Sequence, residues 1–224
     1  MMIDRHRFPG QWRAAGAVAI LGVSLMLAAC GGRDATGGAT PQNAPVEVTN
    51  WRSVATTADR ARLRNWREAW TTGIDRARRT DAAKIAAQGA LFDADRALSG
   101  AVPPPGNYRC RIFKLGAQGT AMAEFTSYPD FDCTIDREGG VSRFYKSNGS
   151  QRVVGTIFDG ENGRAILLGT LQLGDESRPM DYGRDAARDV AGLVDRVGEQ
   201  RWRIVLPYPQ FESVVDVVEL VPRR

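Results

Sequence analysis

The stretch KSNGSQRVVGTIFDGENGRAILLGTLQL, residues 146–173, reads as two extended runs separated and preceded by tight turns. Asn148-Gly149 and Asn162-Gly163 punctuate the apolar-alternating segments. Asn-Gly tolerates the positive φ that a two-residue hairpin turn demands, which makes it the strongest short-range hairpin signal. Ala165, Leu167, Gly169, Leu171 and Leu173 recur at every second position, as do Trp202, Ile204 and Leu206. That period predicts a sheet with one dry face.

Working outward, the same signals predict strands over 107–115, 121–127, 131–137, 141–147, 151–158, 164–173, 189–197, 201–206 and 213–221, with Glu138-Gly139-Gly140 and Gly198-Glu199-Gln200 as further turns. Gly155, Gly169 and Gly192 fall inside strands, where bends of a barrel wall are expected. A meander of this kind must protect its edges, and closure into a barrel is the simplest way. Ahead of it, Leu63, Trp66, Trp70, Ile74 and Ala77 lie at helical steps, opened by a Thr56/Asp59 cap. A second helix is expected over 81–98, stopped by Pro103-Pro104-Pro105-Gly106. At that spacing the Trp residues are read as core rather than as a ligand box. The expected fold class is therefore α+β, mainly β: two N-terminal helices, then an antiparallel meander of eight or nine strands, forming a lipocalin-like barrel or a strongly curved sheet.

The N-terminus carries a different message. Arg5, His6, Arg7 and Arg13 precede an uncharged run over 14–29, the layout of an export signal and too short to span a bilayer as a helix. It ends in Leu27-Ala28-Ala29-Cys30-Gly31, which resembles the bacterial lipobox. The expectation is a lipoprotein signal peptide over 1–29 and a lipidated Cys30 opening a flexible tether over 30–48. A helical front over 49–105 and a β domain over 106–224 follow, forming one globular unit. Lipid on Cys30 would attach the protein to a membrane, and Gly31 after it points to the outer membrane, facing the periplasm.

Removing 1–29 takes Arg5, Arg7, Arg13 and Asp4, so 30 basic and 26 acidic residues become 27 and 25. So small an excess gives no case for a nucleic-acid partner. The sole histidine, His6, leaves with the signal, which excludes Ser-His-Asp, Cys-His and histidine-metal chemistry in the remaining chain. No phosphate-binding loop is present, and no cofactor is expected. Lysine occurs only at 84, 114 and 146 in an Arg-rich chain, a bias that codon usage explains as readily as function.

Cys110 and Cys133 remain as a lone pair in an oxidising compartment, where a disulfide is the default. Two thiolates without histidine make a poor zinc shell, so no metal is expected. Arg109 and Arg111 flank Cys110 on the opposite face of one strand. Facing into a barrel, they would grip an anionic headgroup; facing out, they are solvated. Phe113 and Leu115 continue on their face, and a bulge could switch it. Paired acids, Asp130 with Asp132 and Glu212 with Asp216 and Glu219, are the remaining material for catalysis. No catalytic residue is assigned.

The run Gly106-Asn107-Tyr108-Arg109-Cys110-Arg111, followed by Lys114-Leu115-Gly116, resembles the signature of an uncharacterised family of exported Gram-negative bacterial proteins, a domain of unknown function. Phe131-Asp132-Cys133, the run over 146–152, Arg203-Ile204-Val205-Leu206-Pro207 and Glu219-Leu220-Val221-Pro222 are also similar. The resemblance spans about residues 50–222 and implies one exported domain without implying an activity. Three functions compete. The first is a barrel binding an amphipathic small molecule. The second is a structural lipoprotein docking on another envelope protein, and the third is a carboxylate-dependent hydrolase.

Overall fold

The computed structural model describes residues 50–119 and 121–223. The expected signal peptide, Cys30 and the whole tether over 30–48 lie outside the described residues.

Nine strands follow one another in the expected order: β1 (Gly106–Ala117), β2 (Phe125–Ser127), β3 (Phe131–Glu138), β4 (Val141–Lys146), β5 (Gln151–Asp159), β6 (Ala165–Leu173), β7 (Asp189–Gly198), β8 (Arg201–Pro207) and β9 (Ser213–Pro222). All pair antiparallel with their neighbours, and β1 also pairs with β9, from Tyr108 opposite Pro222 to Ala117 opposite Ser213. The sheet therefore closes on itself as an eight-stranded barrel made of β1 and β3 to β9. The ninth strand, β2, is shorter than expected and continues the line of β3 along the same edge of β1, opposite β9. It pairs with the C-terminal half of β1, while the N-terminal half pairs with β3. Closure through β1 and β9 removes the long edges an open sheet would present, leaving the short β2 as the strand with one partner among the described residues.

Period-two alternation sorts the walls. Tyr108 and Cys110 point inward from β1, with Ile135, Phe144, Ile157, Leu167, Val194, Ile204 and Leu220 from other strands, and together they fill one half of the barrel. That end is shut. The Trp202 indole N–H donates to the Gly100 carbonyl at 3.0 Å, and the Tyr108 hydroxyl donates to the Pro104 carbonyl at 2.6 Å. The two rings meet edge to face.

The outer face is dry as well, wherever helices cover it. Phe113, Leu115, Val205, Val215 and Val217 pack beneath α3 (Trp66–Ala86) with Trp70 and Ile74, and Ile166, Leu168 and Leu193 pack with Leu63 of α2 (Thr57–Arg64). The expectation of a polar outer face thus holds only on the uncovered part. No bulge is needed in β1: Arg109, Arg111, Phe113 and Leu115 share one face, solvated at its start and roofed at its end.

Inside the wall, β5 and β6 approach at Gly155 and Gly169, which stand opposite each other. A Cβ at Gly169 would lie 2.2 Å from the Val154 carbonyl oxygen and 2.7 Å from the Gly155 Cα. Gly169→Ala is expected to destabilise the domain by about 1–3 kcal/mol through this overlap. Chemical denaturation measures it, and an unchanged midpoint would mean that the wall relaxes freely.

The helical front departs from expectation in two places. α1 (Trp51–Val54) is a single turn, and the helix expected from Thr57 breaks at Asn65 into α2 and α3. The Thr56 cap forms as expected, its hydroxyl accepting from the Asp59 N–H. The second expected helix begins where expected but is cut short. α3 runs on through a kink at Asp81, where φ is −137°, to Ala86, and a 3-10 turn (Gly89–Phe92) follows. Leu98 joins no helix and forms a lone bridge with Arg196 of β7. Gly89, at φ 55°, breaks the helical path, and beyond it the Arg203 guanidinium takes the carbonyls of Leu91, Asp93, Ala94 and Arg96, which a helix would have bonded internally.

Candidate functional site: the open mouth of the barrel

The half of the barrel away from Trp202 is not filled. Between the β2–β3, β4–β5 and β8–β9 connections lies an open cavity of about 260 Å³. Ile112, Val153, Leu171, Val190, Leu206 and Val218 line its walls, and Tyr128, Pro209 and Phe211 stand in its lining among the mouth loops. Phe211 is among the few exposed large apolar side chains, at 41%.

Four ionisable groups interrupt this apolar lining. Lys114 points inward from β1, in step with Cys110 and Ile112. Its Nζ lies 2.8 Å from Asp216 on β9 and 3.2 Å from Glu212 in the β8–β9 connection. The Ser213 hydroxyl donates to the second oxygen of Asp216. Burial raises the Asp216 carboxyl above the usual range, and Lys114 and Ser213 oppose it. Burial pulls Lys114 down, yet Asp216 and Glu212 outweigh it and hold the ammonium above its ordinary value. Glu212 has a φ of 74°, and Tyr208 one of 48°, so this connection keeps two non-glycine residues in the left-handed region. Such backbone costs on the order of 1–2 kcal/mol per residue and concentrates at sites that require a particular geometry.

Lys146, the last residue of β4, enters from the other side. Its ammonium donates to the carbonyls of Asn148 at 2.6 Å and Gln151 at 2.8 Å, and stands 3.9 Å from the centroid of the Phe131 ring. Gly149 makes this possible: it adopts φ +87°, and a Cβ there would sit 2.7 Å from the Lys146 Nζ. Burial, with Arg152 and Lys114 nearby, pulls Lys146 down to about 8.

The residues singled out in the sequence are mostly elsewhere. Cys110 and Cys133 are joined as a disulfide inside the filled half, with Cα atoms 5.9 Å apart. Its loop is worth on the order of 3 kcal/mol in the chain-entropy account. Arg109 and Arg111 stand on the outer face, paired with Asp130 at 3.2 and 3.1 Å. They do not line the mouth, so they are not placed to hold a headgroup there. Asp132 lies outside too, bonded to Asn148 and Arg223. Of the C-terminal acids, Glu212 and Asp216 come together on Lys114, whereas Glu219 faces outward to Arg201 at 2.6 Å.

Sequence reasoning noted both mouth lysines but attached no role to them. The overlooked signal is parity: two of the three lysines fall at inward positions of strands in a chain that otherwise uses arginine. Lys84 is exposed on α3.

The fold and site define a class: a closed antiparallel barrel with one plugged end and one open, mixed-polarity mouth. The family described as domain of unknown function (DUF4893) matches residues 51–220, and the chain belongs to it. No match was found among the curated proteins or the solved structures.

Proposed function

We propose that this chain is a cell-envelope lipoprotein, anchored through Cys30, whose barrel binds a small amphipathic molecule at its open mouth. The observation that carries the reading is the half-filled barrel: apolar walls, an exposed Phe211 at the rim and a few polar groups converging on one cavity. Eight strands enclose just enough space for side chains or for one small ligand, the arrangement that lipocalins use, and here the two uses divide the interior between them. Concave, mostly apolar pockets with a few placed polar groups are the general form of small-molecule sites. The lipobox and signal pattern support the envelope location, and the outer membrane facing the periplasm is the expected address.

The docking alternative has less to stand on. The exposed large apolar side chains among the described residues are Val54, Met180 and Phe211, which form no patch on the long helix. The acids available to a carboxylate-dependent hydrolase are already engaged: Glu212 and Asp216 by Lys114, Asp130 by Arg109 and Arg111, Asp132 by Arg223 and Glu219 by Arg201.

Native mass spectrometry of the protein extracted from its own envelope tests the proposal. An added mass that disappears on denaturation is expected. A clean apo mass, together with no displacement of a fluorescent amphiphile from the purified protein, would overturn it.

A further inference from the structure

The two lysines of the mouth have unlike surroundings. Lys114 has two carboxylates for its one charge. Lys146 is 3% exposed and meets only two backbone carbonyls and the Phe131 ring; among the described residues no carboxylate lies within ion-pairing distance of it. A buried ammonium is normally matched by an anion, because its lost hydration is otherwise only partly replaced. The charged groups nearest it include Arg152 on β5, Lys114 on β1, the Asp216 and Glu212 that Lys114 already engages, and Asp136 and Glu176, which share a surface hollow with it but form no ion pair with it.

We infer that the mouth takes a short amphipathic monoanion, a carboxylate on an apolar chain, whose head pairs with Lys146 while its tail lies against Ile112, Val153, Leu171 and Val218. The inference rests on the binding reading above and names the chemistry of its ligand. Two of the three ammonium protons are already donated to carbonyls, which leaves one for a ligand. That suits a single carboxylate oxygen better than a phosphate dianion, which the Glu212 carboxylate across the mouth would also repel. The length follows from the space: about 260 Å³ lies just under the range of roughly 300–1,000 Å³ typical of pockets for drug-sized molecules, so a short chain fits and a diacyl lipid does not. Binding such an anion restores the missing counter-charge, so it favours the protonated lysine.

Calorimetric titration of the full chain with octanoate, 1-octanol and octylamine reads the head-group preference directly. Octanoate is expected to bind at least about tenfold more tightly than either, as a charge-assisted hydrogen bond requires. Lys146→Met should erase that preference, and Lys146→Arg should restore part of it. The octanoate affinity of the unaltered protein should fall by about tenfold or more between about pH 6.5 and about pH 9.5 as the free ammonium loses its proton. Octanol binding as well as octanoate would overturn the anion assignment and leave the pocket reading standing. Failure of all three amphiphiles to bind would overturn both.

Discussion

Arg203→Met is expected to destabilise the domain by about 4 kcal/mol, a large share of the stability of any single domain. Arg203 and Asp195 are both fully buried between the barrel and the helical layer. The guanidinium donates to Asp195 at 2.9 Å, to the Leu91 and Asp93 carbonyls at 2.9 and 2.6 Å, and to those of Ala94 and Arg96 at 3.4 and 3.1 Å. It also stacks against Trp70 at 4.9 Å. Methionine keeps the volume but strands a buried carboxylate and several carbonyls, and an uncompensated buried charge is the costly half of a broken pair. Arg164 lies 3.5 Å from the other Asp195 oxygen and offers only partial replacement. Burial pulls the Arg203 guanidinium down from its ordinary value while Asp195 opposes the shift, so this pair is held by its network of acceptors rather than by Coulomb attraction alone. Urea unfolding reads the effect. A loss below about 1 kcal/mol would show that the 89–98 segment does not depend on this guanidinium. Arg203→Met with Asp195→Asn should recover part of the loss, since the stranded charge is then removed.

Arg203 also marks where the sequence stops being legible. It alternates with Trp202 and Ile204, so period-two reading assigns it to a polar outer face. The assignment to that face is right and the inference of exposure is wrong, because a third layer of chain covers the face. Strand order, the turns at Asn148-Gly149 and Asn162-Gly163 and the inward set are local properties, written in spacing and turn chemistry, and they match the structure within a few residues. Coverage by helices is a tertiary property. The same cause explains why Phe113 and Leu115 share a face with Arg109 and Arg111, and in the non-helical 93–96 stretch a distant side chain, Arg203, satisfies the carbonyls. The candidate site was legible only in its parts. Glu212 and Asp216 could be flagged as acids near one another, but Lys114, which joins them, comes from the first strand, 102 residues before Asp216. Barrel closure through β1 and β9 brings them together.

Lys146 gives the second large effect, and its sign is opposite. Its folded-state value of about 8 lies below the ordinary 10.5, so between those two values the unfolded chain binds more protons than the folded one. Stability therefore rises with pH across that window, and the full penalty is present below about pH 8. The shift corresponds to about 3 kcal/mol, drawn from burial first and then from the neighbouring Arg152 and Lys114. Lys146→Met removes this titration, so the wild-type minus variant stability difference should move by about 3 kcal/mol in favour of the wild type between about pH 8 and about pH 10.5. Taking the difference cancels other groups that titrate there, including Tyr108 and Tyr182, both pushed up to about 12 chiefly by burial. At neutral pH the variant regains the desolvation cost but leaves the Asn148 and Gln151 carbonyls without their donor. Asn148 is exposed and Gln151 half-buried, so water can replace much of that loss, and the variant should be the more stable protein. A flat difference across the window would mean that Lys146 is well solvated or already neutralised. A rising one would identify a residue that the fold carries at a cost, as expected of a side chain kept for what it binds rather than for what it holds together.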